Sequence, residues 1–418
     1  MSDLRPRPYR VRAALRHGRV KGSRPTLTAL KYLSAGLAVV LVSAVTVAGI
    51  SLTQISNNIK TVSLVGETQG PPPALGDYEG GFNILLVGSD TRQGQGEVGP
   101  GGARNDVTIL LHVSHDQTNA VAVSIPRDLI VDVPQCPRED GKGSYGARSN
   151  TPINTSLGTG GLACVVLTVQ KLTGLDIPFA GLITFDGVIN VSTAVGGVPV
   201  CVNGPFHDHF TGFTLPKAGT YDLSGHEALM FLRSRHGVGD GSDLGRISSQ
   251  QVFLSSLVRT VKSNSTLTDF GKMFSIATVA SESMTLSNSL RNVNTMVSMA
   301  QVLKKLPLDR IMFVQYPGTT GGAGVFAGKV MPSTSLANAL FAKIKADEPF
   351  SLEAGKTGRG SVQDPNAPVD AAATAPTGAA TTSASGAASA PATDAPSQVL
   401  DGVLGQSAAD YTCSKVNN

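Results

Sequence analysis

The chain has 418 residues, 41% of them apolar and only 15% charged, with a formal net charge of +4. That length excludes a single small domain, and the apolar fraction is enough for one ordinary-to-large core plus tails. Arg5, Arg7, Arg10, Arg12, Arg16, Arg19, Lys21, Arg24 and Lys31 all precede the first apolar run. The rest of the chain is mildly acidic, so a nucleic-acid-binding body is not indicated.

Residues 1–31 form a basic tail with Pro6, Pro8 and Pro25 and no apolar period, expected to be disordered and cytoplasmic. Residues 32–52 are almost continuously apolar and carry no charge. About 20 helical residues cross a bilayer core of roughly 30 Å, and a charge at its centre would cost about 2.5–3.5 kcal/mol. A single transmembrane helix is therefore expected, with the basic side in the cytoplasm and the bulk of the chain outside. A signal peptide cleaved near Thr46-Val-Ala48 is the rival reading, and the run exceeds the usual ~7–15 residue core of such a peptide. Residues 53–79, with Pro71-Pro-Pro73, read as a stalk.

A folded domain is expected over residues 80–345. Phe82-Asn-Ile-Leu-Leu-Val-Gly88 reads as a buried strand. Residues 107–113 and 120–125 are two more, separated by the turn His115-Asp-Gln-Thr-Asn119. Residues 162–172 form a helix ending at Gly174, 179–185 a strand, 186–195 a helix ended by Gly196-Gly197, and 198–202 a strand. Ser224-Gly-His-Glu227 has the form of a capping box ahead of 228–232. A helix over 290–306 and a strand over 310–315 complete a layered domain, α/β or α+β. Residues 346–398, rich in Ala, Ser, Thr, Pro and Gly, are expected to be a disordered linker, and 399–418 a terminal segment re-anchored through Cys413. The cysteines at 136, 164, 201 and 413 lack metal-type spacing. One or two disulfides are expected outside the cell, with Cys136–Cys164 favoured and free thiols as the alternative.

The chemistry concentrates between residues 233 and 250. Arg233, Arg235 and Arg246, the carboxylates Asp240 and Asp243, and Gln250 lie among four glycines. Arg233 and Arg235 would share one side of an extended segment. Asp243 looks like a helix N-cap, and Arg246 and Gln250 share the following helical face. Forked donors near a helix start suit a phosphate or pyrophosphate; a solvated basic loop is the plainer alternative. Asp90 and Asp106 sit at strand ends, each two residues from an arginine (Arg92, Arg104). They offer hard oxygen ligands for Mg²⁺, or ion pairs with those arginines. Arg127 either points across the sheet edge or pairs with Asp128. Gly94-Gln-Gly96-Glu-Val-Gly99 precedes no helix and reads as a surface loop rather than a dinucleotide site. His207-Asp-His209 reads as a polar loop rather than a metal pair. No cysteine or serine is placed for a covalent intermediate.

In order, Leu85-Leu-Val-Gly-Ser-Asp90-Thr-Arg92, Arg104-Asn-Asp106, Ser124-Ile-Pro-Arg127-Asp128, Phe185-Asp186-Gly187, Gly196-Gly197-Val198 and Arg233-Ser-Arg235 through Asp243-Leu-Gly-Arg246 to Gln250 resemble the motifs of the LytR-CpsA-Psr family, of actinobacterial type. The resemblance covers roughly residues 80–345. It implies an α/β fold, layered α-β-α around a central mixed sheet. It also implies a membrane-anchored phosphotransferase that moves a glycan polymer from a polyprenyl-pyrophosphate carrier to peptidoglycan and leaves a phosphodiester. Carried over, Asp90 and Asp106 would hold Mg²⁺, and Arg104, Arg127, Arg233, Arg235, Arg246 and Gln250 would bind the pyrophosphate. Asp106, Arg127, Arg235 and Asp243 would be catalytic, with Asp243 orienting Arg235 or Arg246 or assisting the acceptor hydroxyl. Where the family has Arg-Ser-Asp-Thr, this chain has Arg104-Asn-Asp106-Val107. Ser248 and Ser249 stand where the family usually has basic residues, a departure expected to weaken phosphate or glycan contacts. The lipid tail is expected in an apolar cleft bounded by the helices holding Leu162 and Gly187. Rival readings are a non-catalytic module for lipid-linked wall precursors and a prenyl pyrophosphatase.

Overall fold

The computed structural model describes residues 32, 59–67, 78–90, 103–263, 269–367 and 398–417. The basic tail, the apolar run beyond Tyr32, Arg92 and the glycine loop at 94–99 lie outside them. Among the described residues no helix is long and apolar enough to cross a membrane.

Eight strands, numbered along the chain, form the main sheet. Their order is β1 (Lys60–Val62), β6 (Met284–Ser287), β5 (Phe179–Ile183), β2 (Phe82–Ser89), β3 (Asn105–Val113), β4 (Ala120–Ser124), β7 (Ile311–Gln315), β8 (Gly405–Ser407). β2, β3 and β4 are antiparallel neighbours, with Phe82 opposite Val113 and Val113 opposite Ala120. β5 runs parallel to β2, and β7 parallel to β4, so the sheet is mixed.

Side chains alternate across a strand, and here both faces are apolar because both are covered. Leu85, Val87, Leu110 and Val123 share a core with α1 (Leu157–Thr173) and α7 (Thr334–Lys345) on one face. Phe82, Val113, Ala122 and Phe313 pack with α5 (Phe270–Ser283) and α6 (Val293–Lys305) on the other. A third core surrounds Phe206, Phe231 and Phe253, beneath a four-stranded sheet of Gly219–Leu223, Val198–Val202, Thr412–Ser414 and Ser361–Gln363. α4 (Asp243–Ser263) touches all three: Leu244 and Ile247 join the first core, Leu254 and Val258 the second, Val252 and Phe253 the third. Its other buried positions are largely serine and glutamine, including Ser248, Ser249, Ser255 and Ser256.

Two expectations differ from the structure. Within the stretch expected to be a linker, Phe350–Leu352 pairs with Gln398–Leu400, and Ser361–Gln363 pairs with Thr412–Ser414; residues 368–397 lie outside the described ones. Within the expected stalk, β1 pairs with β6. Strands of three residues carry too little periodicity to be read locally, and their partners are remote in sequence.

The favoured bridge Cys136–Cys164 is formed, and Cys201–Cys413 accompanies it. The second joins facing residues of parallel neighbours and fixes the terminal strand to the small sheet. Replacing Cys201 and Cys413 together by alanine is expected to cost about 2–4 kcal/mol, read as a lower denaturant midpoint. A midpoint equal to that of the parent chain would contradict this staple.

Candidate active site

The strand register brings the acidic and basic motifs to one end of the main sheet. Ser89, the last residue of β2, faces Asn105, the first of β3, after an irregularity at Gly88/Ser89. Asp90 and Asp106 therefore lie beside that pair. β4 ends at Ser124 opposite Ile109, and β5 ends at Ile183 opposite Gly88, so Arg127 and Phe185 emerge at the same edge. Two helix ends complete the site: the last residue of α3 (Gly225–Arg233) and the first turn of α4. Together they enclose a cavity of about 550 Å³ lined by Asp90, Asp106, Arg127, Arg233, Arg235, Arg246 and Gln250.

Asp243 and Arg104 do not line it. Asp243 is 6% exposed and stands behind the arginines. Its Oδ1 is 2.7 Å from Arg246 Nη2, and its Oδ2 accepts from the Arg127 amide at 3.3 Å. It contacts Arg246 and Arg127, forms no ion pair with Arg235 among the described residues, and does not line the cavity. The helix cap is Ser242: its Oγ accepts from the Gly245 amide at 3.2 Å and its carbonyl from the Arg246 amide at 3.2 Å. Asp243 is the first helical residue, where a negative charge complements the helix dipole. The Arg104 side chain is exposed, and the residue meets the site through its amide, 3.4 Å from Asp90 Oδ1.

Arg127 Nη1 donates to Asp106 Oδ1 at 2.8 Å, while Asp128 takes Lys329 as its near partner at 2.8 Å. Burial opposes the charge on Arg127, but Asp106, Asp243 and Asp128 outweigh it and raise its pKa. Arg246 Nη2 also donates to the Asp106 carbonyl at 2.6 Å.

Arg235 is different. Its side chain has no carboxylate within ion-pair distance among the described residues, and its Nε is buried without a hydrogen-bond partner. Burial, with Arg127 and Arg246 nearby, pulls its pKa down against the attraction of Asp243 and Asp128. It is held through its backbone instead. The Arg235 and Gly237 amides donate to Asp208 Oδ2 at 2.8 and 3.2 Å, and the Phe210 and Thr211 amides to Oδ1 at 3.0 and 3.3 Å. Burial alone would raise the Asp208 pKa; these backbone donors bring it below the usual carboxylate range. In the His207-Asp-His209 triplet the middle residue is the one that lines the cavity. His207 Nδ1 is spent on Thr214 Oγ1 at 3.0 Å. Asp208 was missed from sequence, where the legible signal was only a hairpin turn at Phe210-Thr-Gly212.

Arg233 and Arg235 share the cavity although Arg233 is helical and Arg235 follows the extended Ser234. The Arg233 guanidinium lies 4.3 Å from the Phe185 ring centre. Ser224 caps α3 without a side-chain hydrogen bond, so the predicted capping box is not formed. Gln250 Nε2 donates to the Leu232 carbonyl at 2.9 Å, tying α4 to the end of α3.

The cavity's apolar wall comprises Ile109, Ile183, Val188, Leu229, Leu232 and Leu254. The helix holding Gly187, α2 (Phe185–Val195), borders it as expected; α1 does not. Leu162 borders a second cavity with Leu182, Arg138 and Tyr145. Leu182 and Ile183 are consecutive on β5 and point to opposite faces, which separates the two.

Residues 44–342 match the model of the LytR_cpsA_psr family. The chain belongs to the LytR-CpsA-Psr family. Cell wall biosynthesis protein LcpA of Corynebacterium glutamicum is 28% identical over 317 residues, 69% of this chain and 60% of that protein. The polyisoprenyl-teichoic acid–peptidoglycan teichoic acid transferase TagU of Bacillus licheniformis is 28% identical over 195 residues, 47% of this chain and 57% of that protein. The chain thus spans no more than 60% of the length of these relatives. Among solved structures, B. subtilis TagV aligns with a TM-score of 0.51 at 24% identity, over 65% of this chain and 98% of that one. The LytR-Csp2A-Psr enzyme from Actinomyces oris aligns with 0.50 at 19%, over 68% and 95%. At these identities the likeness is one of fold.

Ser248 and Ser249, the departure from the family's basic residues, are buried away from the cavity. Ser249 Oγ is 2.8 Å from Ser414 Oγ, and Ser248 lies against Gly358. The terminal segments occupy the space a long basic side chain would need, and neither serine lines the cavity.

The family implies Mg²⁺, and the donor set can be tested for it. Asp90 and Asp106 present hard oxygens to one cavity, and Asp106 Oδ1 is engaged by Arg127, so a cation would meet its other oxygen. Among the described residues the one cluster of three metal-type ligands is Cys201, Asp364 and Cys413, whose cysteines are joined in a disulfide. Asp90 and Asp106 fit a cation that takes one or two protein carboxylates and completes its shell with phosphate oxygens and water. They do not form a protein-only cage.

Proposed function

We propose that this chain is a phosphotransferase, anchored by residues 32–52 with its folded domain outside the cell membrane. It would move a glycan polymer from a polyprenyl-pyrophosphate carrier to peptidoglycan. The observation that carries this reading is Arg235, a guanidinium without a carboxylate partner beside Arg127 and Arg246 in a half-apolar cavity. A diphosphate neutralises such a cluster, and the apolar wall accommodates the first isoprene units. The name of TagU, a transferase from a polyisoprenyl carrier to peptidoglycan, supports the assignment.

In the proposed step, an acceptor hydroxyl oxygen attacks the phosphorus that bears the glycan. The bond from that phosphorus to the bridging oxygen breaks, polyprenyl phosphate leaves, and the hydroxyl proton goes to solvent. Arg127, Arg235 and Arg246 hold the diphosphate in line and stabilise the charge that moves to the leaving phosphate. Asp90 and Asp106 would hold Mg²⁺, which adds a compact countercharge when bound. The test is incubation of the full chain with a prenyl-diphosphate-linked glycan and Mg²⁺, with and without peptidoglycan. Phosphodiester-linked polymer and prenyl phosphate released only with acceptor are expected. Release without acceptor would make it a pyrophosphatase, and tight donor binding with no product a binding module.

A further inference from the structure

The cavity has a rim that diphosphate chemistry leaves unexplained. Phe210 is 69% exposed although it lines the cavity. Its ring centre is 4.1 Å from that of His209 and 4.2 Å from that of His236, and the two imidazoles are 6.0 Å apart. That spacing excludes imidazoles stacked squarely on the two opposite faces of Phe210. At 69% exposure, most of the phenyl surface faces solvent. His236 also lines the cavity and directly follows Arg235.

The patch is held in place. Asp208 accepts the Phe210 and Thr211 amides with one carboxylate oxygen and the Arg235 and Gly237 amides with the other. Thr211 Oγ1 is 3.1 Å from Ser234 Oγ, a second tie between turn and loop. One buried carboxylate thus fixes the aromatic rim relative to the unpaired guanidinium. An exposed, immobilised aromatic surface flanked by imidazole donors and acceptors suits a pyranose, whose C–H face packs on a ring while its hydroxyls bond at the edges.

We infer that the Phe210–His209–His236 rim is the subsite for the first sugar of the donor, the one attached to the diphosphate. This rests on the reading of the cavity as a diphosphate site. The sugar sits one phosphoester bond from the group held at Arg235, so the residue adjoining Arg235 and the ring beside it are within its reach. The apolar wall takes the prenyl chain, and the rim selects donors by their proximal sugar.

The experiment compares two probes by calorimetry on the full chain with Mg²⁺: a short-chain prenyl diphosphate, and the same lipid carrying one N-acetylhexosamine. The parent chain is expected to bind the sugar-bearing probe more tightly. Phe210→Ala should weaken that probe roughly tenfold and the sugar-free probe less than twofold, and Phe210→Tyr should restore the difference. Phe210 is exposed, so its replacement does not threaten folding. Equal losses for both probes, or no loss for either, would overturn the subsite. So would a loss confined to sedimentation with anionic lipid vesicles, which would make the rim a membrane contact. If the parent chain binds neither probe, the diphosphate reading itself fails; if it binds both equally, only the sugar subsite does.

Discussion

Alanine in place of Arg235 is expected to slow polymer transfer roughly 10²–10³-fold, the usual loss when one preorganised donor to a developing oxyanion is removed. The unfolding midpoint should move little, by the equivalent of about 0.5 kcal/mol or less. Both halves follow from the same geometry. The Arg235 side chain meets no carboxylate within ion-pair distance among the described residues, so its removal strands no acid. It also relieves repulsion from Arg127 and Arg246. The loop stays fixed because Asp208 grips the backbone amides of residues 235 and 237, which alanine retains. Lysine at this position should recover part of the rate: it restores the charge but not the planar fork. Single-turnover transfer assays beside thermal melts decide the matter. A rate within threefold of the parent at saturating donor would remove Arg235 from the reacting phosphate.

Much of this site was legible because its residues lie on strand ends and helix starts that period and turn chemistry mark. Asp90, Asp106 and Arg127 each follow or begin an apolar run, and the register of β2, β3 and β4 does the rest. The separate duties of the arginines were not legible. That Asp243 serves Arg246 and Arg127, while Asp208 serves Arg235, depends on which loop crosses which strand end. Asp208 is more than 20 residues before the arginine it positions and sits between two histidines that draw attention for other reasons. The fold's third core was hidden for a related cause. It is closed by three-residue strands from the chain's end, paired across a disulfide whose half-cystines are 212 residues apart. The serines of α4 read as a loss of phosphate ligands until those strands are seen to cover them.

The opposite behaviour is expected of Asp243→Ala, where stability rather than chemistry fails first. Asp243 and Arg246 are each about 6% exposed and 2.7 Å apart, and the same carboxylate accepts the Arg127 amide. Removing one member of a buried pair leaves the other charge desolvated and uncompensated, a loss of about 3–5 kcal/mol. The denaturant midpoint should fall accordingly, and Asp243→Asn, which keeps an acceptor for the Arg127 amide, should fall less. The stranded guanidiniums lie at the cavity proposed to receive a diphosphate, so on that proposal inorganic pyrophosphate should act as a partial substitute for the lost carboxylate. Its stabilisation, measured as the rise in midpoint at a fixed concentration, should be larger in Asp243→Ala than in the parent, because at a given ligand concentration tighter binding to the folded form adds more stability. On the proposed reading, Asp243 and a diphosphate would compete for the same positive charge: the acid would hold the empty pocket together, and the ligand would share that charge when bound. A parent-like midpoint in Asp243→Ala, or a pyrophosphate effect no larger than the parent's, would break that link.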